Sequence, residues 1–230
     1  MELNGIVPTL RGLRNYVVRQ HVTRYVFATK YVRDKVVLDV ACGSGYGTSY
    51  LAESGASYVV GVDLSKHMLS IAKKVYNHPC VDHVCADCLA LPLRNESFDV
   101  VISFETIEHI SEPERMCNEI IRVLKSKGML VISTPNKRWT KHPPYHLHEF
   151  YPEEFYKLLR RYFHEVERYG QYITYKQLLR DMYFKVRDKV RKAVHLLIML
   201  TIGSVFKEAK NNTTIRMLLY SVLKTIIKFR

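Results

Sequence analysis

Three alternating glycines and an acid twenty residues further on form the most distinctive chemical pattern of the chain. Gly43, Gly45 and Gly47 lie in the stretch VVLDVACGSGYG, directly after an apolar run. Glycines at such a turn let a ligand approach backbone N–H groups and the positive end of the following helix. Asp63 ends the next apolar run, 63 − 43 = 20 residues beyond Gly43, where a carboxylate can accept hydrogen bonds from a ribose diol. The pairing indicates a nucleoside-binding site rather than a tight turn alone.

Alternating strand and helix patterns, from about Lys35 to Gln171, must position these residues. Short β-branched runs predict buried parallel strands, and the amphipathic stretches between them predict crossover helices. We therefore predict an α/β fold with a doubly wound, mostly parallel sheet. Ligands bind such sheets beyond the carboxyl ends of the strands, so the residues after each strand are the candidates for a site.

Several local features are predicted within this pattern. A helix without breakers should run over residues 16–32, and Ser65 should cap the helix after the second strand. Ser111 should cap a later helix that ends near Gly128. The stretch HEVERYGQ, residues 164–171, is predicted as a last strand.

The net charge of +13 is concentrated at the C-terminal end. Residues 174–230 hold 13 Lys and Arg against 3 Asp and Glu, and their apolar residues recur at helical spacing. We predict two parts, a ligand-binding domain over residues 1–173 and a basic amphipathic helical tail over residues 174–230. The tail fits an anionic membrane surface, a cap on the substrate side or a dimer contact. Nucleic acid is not expected, because no basic groove interleaved with aromatic residues supports it.

The location of the protein is predicted from what the sequence lacks. No apolar run reaches the roughly 18 residues of a membrane span, and residues 1–20 lack the pattern of a secretory signal. The five cysteines are an odd number at irregular spacing, which favours reduced thiols. We expect a cytoplasmic protein, either free or held peripherally at the inner membrane face.

The glycine spacing separates two nucleoside cofactors. A dinucleotide fingerprint GxGxxG would need glycine at position 48, where the chain has Thr48. The chain instead resembles the class I S-adenosylmethionine-dependent methyltransferases, in the broad small-molecule group called methyltransferase type 11. Four motifs carry the resemblance over about residues 19–171: VLDVACGSGYG, GVDLS, CADCLALPL and FDVVISFETIEHI. One departure is Ala41, where the family often has glycine.

The resemblance implies S-adenosylmethionine as the cofactor and a Rossmann-like methyltransferase fold. It implies that Asp39 and the glycine loop surround the methionine part, Asp63 the ribose, and Asp87 with the backbone at Cys88 the adenine. Phe104 and Glu105 would lie beside the transferring methyl, and Arg24, in HVTRYVFA, near the cofactor carboxylate; an exposed helix charge is the alternative for Arg24. The cofactor-binding residues implied in this way are Arg24, Asp39, Ala41, Gly43, Gly45, Gly47, Asp63, Leu64, Asp87, Cys88, Phe104 and Glu105.

Catalytic candidates follow the fourth and fifth strands. A hydroxyl acceptor must lose a proton, and histidine titrates in the right range. His109 lies in ETIEHI, and the segment HPPYHLHEF resembles a motif of one branch of the family at His146 and Glu149. Structural roles are the alternative: a structural role for His109, and helix capping or packing for His146. Glu149 either orients His146 or favours the start of the following helix by its charge. We predict no metal site, because Asp87 and the strand pattern already explain the CxxC of HPCVDHVCADC.

The branch that shares RYxFA, STPN and HxxEF is often associated with cell-envelope glycan synthesis. The resemblance therefore implies O-methylation of a sugar or glycolipid hydroxyl. Two alternatives stay open: O-methylation of a quinone or lipid-soluble phenol, and a membrane-adsorbed protein that binds the cofactor without turnover. The small-molecule or glycolipid acceptor and the oligomeric state are not specified by the sequence.

Overall fold

The computed structural model describes residues 16–140 and 143–171. The described chain forms a five-stranded sheet in the order β3-β2-β1-β4-β5, and all four strand pairs are parallel. The strands are β1 Val36–Val40, β2 Tyr58–Asp63, β3 Val81–Cys85, β4 Phe98–Phe104 and β5 Leu124–Ser133. The helices are α1 Tyr16–Ala28, α2 Tyr46–Glu53, α3 Lys66–Val75, α4 Pro113–Val123 and α5 Pro152–Arg160. The predicted doubly wound α/β fold is confirmed, whereas the predicted tail lies outside the described residues.

The central strand β1 is buried because both of its faces are covered by apolar side chains. Val37 belongs to a core with α1 and α2, and the next residue, Leu38, belongs to a second core with α4 and α5. Successive side chains of a strand point to opposite faces, so the two cores lie on the two sides of the sheet. The strand order reverses at β1, between β2 and β4, which brings the carboxyl ends of these strands together.

Three local predictions need correction. The first helix ends at Ala28, and residues Thr29–Tyr31 continue as a 3-10 turn. The N-cap of α4 is Glu112 and not Ser111, and Pro113 takes the first helical position, where its missing N–H costs no bond. The strand β5 begins at Leu124, directly after α4, so Gly128 lies inside a strand and ends no helix.

Two further predictions concern the cap at Ser65 and a strand over residues 164–171. Ser65 caps α3 as predicted, because its hydroxyl accepts a hydrogen bond from the Met68 N–H. The stretch 164–171, predicted as a strand, forms no strand in the described chain. Its alternation of apolar and charged residues is short, and a strand also requires an available partner edge.

Helix α1 packs closely on the start of α2. A Cβ atom built at Gly47 would lie 2.0 Å from Cζ of the Tyr25 ring, which contacts Tyr46 and Phe104 edge-on. Gly47 is therefore required by the close approach of α1, in addition to any contact with a ligand. The hydroxyl of Tyr25 lies 3.1 Å from Oδ1 of Asp39 in β1.

The substitution Gly47→Ala should destabilise the protein by about 1–3 kcal/mol, because the methyl group would overpack the Tyr25 ring. Denaturant unfolding followed by circular dichroism measures the change. Tyr50→Ala, at an exposed position of the same helix, is the control and should stay within about 0.5 kcal/mol of the wild type. Equal stability of Gly47→Ala and wild type would contradict the close contact.

Candidate functional site

The turn after β1 is shaped by residues in the left-handed region. Ala41, Gly43 and Gly45 have φ values of +59°, +55° and +78°. Glycine adopts this region without a steric penalty, whereas Ala41 adopts it with a side chain. A Cβ atom built at Gly43 has no neighbour within 4 Å, so there is open space above the loop at this residue.

Asp63 joins the glycine loop to β2. One carboxylate oxygen accepts the Gly43 N–H at 2.8 Å and the other accepts the Ser65 N–H at 2.8 Å. The predicted pairing of Asp63 with the glycines is therefore present in the structure. Each oxygen keeps a second lone pair, so the oriented carboxylate is able to accept hydrogen bonds from a diol. The neighbouring Leu64 is 71% exposed and offers an apolar surface beside it.

Asp87 and Cys88 follow β3 at the same edge of the sheet. The side chain of Asp87 is exposed, and its Oδ1 atom accepts the Leu89 N–H at 2.9 Å. The Ala86 N–H donates to the Asp63 carbonyl at 3.2 Å, which ties this loop to the end of β2. Cys88 is partly buried, and burial raises the pKa of its thiol to about 12. The thiol is therefore neutral at physiological pH.

Asp39 supports the loop from inside the core. Its carboxylate is fully buried and accepts hydrogen bonds from the Thr48 hydroxyl at 2.7 Å and the Tyr25 hydroxyl at 3.1 Å. Burial raises the pKa of the Asp39 carboxyl to about 7, although both hydrogen bonds act to lower it. Asp39 thus connects α1, β1 and α2, and its direct contact with a cofactor stays a prediction.

Arg24 and Glu105 meet at the end of β4. The guanidinium Nη2 lies 3.1 Å from the Glu105 carboxylate, which also accepts the Ser133 hydroxyl at 2.8 Å. The Nη1 atom of Arg24 is buried and has no hydrogen-bond partner in the described chain. Glu105 has a φ of +53°, an uncommon backbone conformation for a residue with a side chain. Arg24 is thus no exposed helix charge but a partly buried cation with an open donor.

Phe104 completes this side of the site. Its ring packs edge-on against Tyr25, with the ring centroids 5.1 Å apart. Tyr25 therefore contacts both the last residue of β4 and the carboxylate of β1. This packing fixes the ends of the two strands next to each other.

The predicted catalytic histidines lie together. A 3-10 turn, Ile107–His109, follows β4, and the Glu108 carbonyl accepts the N–H groups of Leu147 and His148 at 2.8 and 3.0 Å. These bonds hold the loop after β5 against the turn, so the rings of His109 and His146 lie 4.9 Å apart. Glu149 receives a hydrogen bond from His146 Nδ1 at 3.2 Å.

The sequence analysis missed Glu108. Its side chain is 1% exposed, and Thr134 donates a hydrogen bond to its Oε2 atom at 3.2 Å. Burial and the negative charge of Glu105 raise the pKa of the Glu108 carboxyl to about 8. Full burial of a glutamate is rare, and no pattern in ETIEHI distinguishes Glu108 from an exposed acid.

Comparison with known proteins agrees with this geometry. Residues 38–132 match the family model described as a methyltransferase domain. A probable S-adenosylmethionine-dependent methyltransferase of Mycobacterium tuberculosis is 33% identical over 159 residues, which are 66% of this chain and 57% of that protein. Residues 38–132 therefore form a methyltransferase domain. Its cofactor is S-adenosylmethionine, and its fold is the Rossmann-like fold of such enzymes.

The chain is also similar to a second sequence relative and to a solved structure. The ubiquinone biosynthesis O-methyltransferase of Coxiella burnetii is 32% identical over 121 residues, half of each chain. The crystal structure of a methyltransferase-like protein of Bacillus halodurans superposes with a TM-score of 0.55 at 22% identity, over 62% of this chain and 68% of that one. The chain thus spans about half of the Coxiella burnetii protein and somewhat more of the Mycobacterium tuberculosis protein.

The residues present fit the cofactor of this methyltransferase domain. Asp63 offers an oriented carboxylate to a ribose, Leu64 an apolar surface to a base, and the buried Nη1 of Arg24 a charged donor to a carboxylate. The loop at Gly43 has room for a ligand next to the backbone. These three chemistries correspond to the sugar, the adenine and the amino-acid part of S-adenosylmethionine.

The free energy of unfolding should depend on pH through Asp39. The folded pKa of about 7 lies above the usual 3.8, so the folded state keeps a proton that the unfolded state has lost. Stability should therefore fall as pH rises from 4 to 7, by up to about 1.4 kcal/mol per pH unit. Asp39→Asn should remove this part of the slope in urea unfolding at several pH values.

The control variant is Thr48→Val, which removes a hydrogen bond but keeps the carboxyl group. It should lower stability and retain the pH slope. A slope in Asp39→Asn equal to that of the wild type would exclude Asp39 as the titrating group.

Proposed function

We propose that the protein transfers a methyl group from S-adenosylmethionine to a hydroxyl of a sugar or glycolipid. The observation that supports this proposal most directly is the carboxylate of Asp63, which accepts the N–H groups of both Gly43 and Ser65. Its oxygens can accept hydrogen bonds from ribose hydroxyls, and they lie beside an open glycine loop. Histidines near the end of β4 supply polar groups on the acceptor side.

Each part of the chain has a proposed task in the reaction. The cofactor supplies an activated methyl group on a positively charged sulfur. Asp63 orients the sugar, and Arg24, held by Glu105, pairs with the amino-acid carboxylate. Phe104 and Tyr25 exclude water from the core side. The Nδ1 atoms of His109 and His146 are engaged by Tyr145 and Glu149, which leaves the Nε2 atom of each ring available on the acceptor side.

A quinone or another lipid-soluble phenol is the second candidate acceptor. The name of the Coxiella burnetii relative, a ubiquinone biosynthesis O-methyltransferase, favours it. The amphipathic sequence of residues 174–230 suits either lipid-linked acceptor, and we propose a peripheral membrane contact for it. Within the described residues, no helix has both the length and the apolar character needed to cross a bilayer.

Cofactor binding should depend on Asp63. Calorimetric titration with S-adenosylmethionine should give an affinity at least about ten-fold lower for Asp63→Ala than for the wild type, since two or more hydrogen bonds are lost. Asp82→Ala, at an exposed position on the neighbouring strand β3, is the matched control and should bind normally. Equal affinities of Asp63→Ala and wild type would remove Asp63 from the cofactor site.

The acceptor class can be found by transfer of label. Protein incubated with radiolabelled S-adenosylmethionine and fractionated host extract should label the glycan or glycolipid fraction. Label in the quinone fraction would support the second candidate instead. Cofactor binding without label in any fraction would favour a binding protein without turnover and refute methyl transfer.

A further inference from the structure

A cluster of potential metal ligands lies at the carboxyl end of β4. Glu108, His109 and His146 each offer one nitrogen or oxygen atom, and these atoms lie within 4.8 Å of one another. The first two residues belong to the 3-10 turn after β4, and the third belongs to the loop held against that turn by the Glu108 carbonyl. The main chain therefore fixes both halves of the cluster relative to each other.

The hydrogen bonds of the two rings set their tautomers. His109 Nδ1 lies 2.9 Å from the Tyr145 carbonyl, an oxygen that only accepts, so Nδ1 carries the proton. His146 Nδ1 lies 3.2 Å from the Glu149 carboxylate, which also only accepts, so this Nδ1 carries a proton as well. In its neutral form, each ring therefore holds a lone pair at Nε2. Metal-binding histidines characteristically donate their other N–H to a carbonyl or carboxylate in this way.

The buried carboxylate adds an electrostatic reason. Glu108 is 1% exposed, its Oε2 accepts from Thr134, and its Oε1 is 3.9 Å from His109 Nε2, beyond hydrogen-bond distance. The nearby cation, Arg24, is paired with Glu105 at 3.1 Å. In such a buried place the charged form of a carboxyl group is stabilised only by a cation or by several donors. A divalent ion between Glu108 and the two Nε2 atoms would be such a cation.

We propose that Glu108, His109 and His146 bind a divalent first-row transition-metal ion, and that this ion binds the acceptor hydroxyl. The inference rests on the proposed function and specifies its acceptor site. Ligands with bonds of about 2.0 Å in tetrahedral geometry are about 3.3 Å apart, so small side-chain rotations from the present spacing would close the site. Two imidazoles and one carboxylate suit zinc, manganese or iron better than magnesium. From the sequence we expected no metal, because only the CxxC stretch was considered.

Three protein ligands leave open positions, as in catalytic rather than structural metal sites. Two adjacent oxygens of one acceptor, a sugar 1,2-diol or a catechol, would fit these positions as a chelate. The acceptor hydroxyl would become more acidic there and release its proton to solvent. Its oxygen then forms a bond to the methyl carbon as the carbon–sulfur bond breaks, giving a methyl ether and neutral S-adenosylhomocysteine.

Metal binding is tested on the full chain, freed of metal with a chelator and titrated with Mn²⁺. The loss of the free Mn²⁺ signal in electron paramagnetic resonance reports binding. Mn²⁺ is chosen because the five free cysteines would compete for softer ions such as Zn²⁺. Glu108→Gln and His146→Gln should each weaken Mn²⁺ binding at least ten-fold. His148→Gln is the matched control, because its ring nitrogen contacts the Ser111 carbonyl at 3.3 Å and lies outside the cluster.

The same preparations are titrated with S-adenosylmethionine, which reports folding of each variant and tests the cofactor site separately. No Mn²⁺ binding by the wild type, or equal binding by all variants, would overturn the metal site whatever the cofactor does. Chelated protein should transfer methyl groups to a diol acceptor at least ten-fold more slowly and recover with Mn²⁺. An unchanged rate would overturn the acceptor role of the ion. Parallel assays with a sugar 1,2-diol and a catechol separate the two acceptor sources.

Discussion

The buried carboxylate of Asp39 is the interaction on which the rest of the site depends. It lies in the central strand and accepts hydroxyl groups from Tyr25 of α1 and Thr48 of α2. Burial of this carboxyl group is tolerated because both hydroxyl groups donate hydrogen bonds to it. Those bonds fix the helix that follows the glycine turn, and the turn in turn presents its N–H to Asp63. The turn that we propose to hold the cofactor is therefore positioned by hydrogen bonds in the core beneath it.

A second chain of contacts builds the part of the site that we propose for the acceptor. The left-handed backbone at Glu105 ends β4, and the following 3-10 turn uses its Glu108 carbonyl to hold the loop that carries His146. The two parts of the site are joined by Arg24 of α1, whose side chain forms an ion pair with Glu105. The positions that we propose for cofactor and acceptor are therefore linked by main-chain hydrogen bonds and one ion pair, so a substitution in α1 should affect both.

The alternation of strands and helices, and the glycine turn after the first strand, could be predicted from the sequence, because buried parallel strands and glycine turns have strong local patterns. The partnership of Gly43 and Asp63 followed from their spacing alone. The fate of residues 164–171 could not be predicted, since a strand depends on a free neighbouring edge. The role of Glu108 was equally hidden, because burial of a single acid depends on a loop 38 residues further along the chain, at His146.

The contact between Gly47 and the Tyr25 ring also limits how this chain can diverge. With its would-be Cβ position 2.0 Å from the ring, position 47 has no room for a side chain as long as an aromatic residue occupies position 25. The phenol hydroxyl in turn is needed by Asp39. Positions 25, 39 and 47 therefore depend on one another. A substitution at one of them alone would be destabilising, and divergence requires compensating changes at the other two.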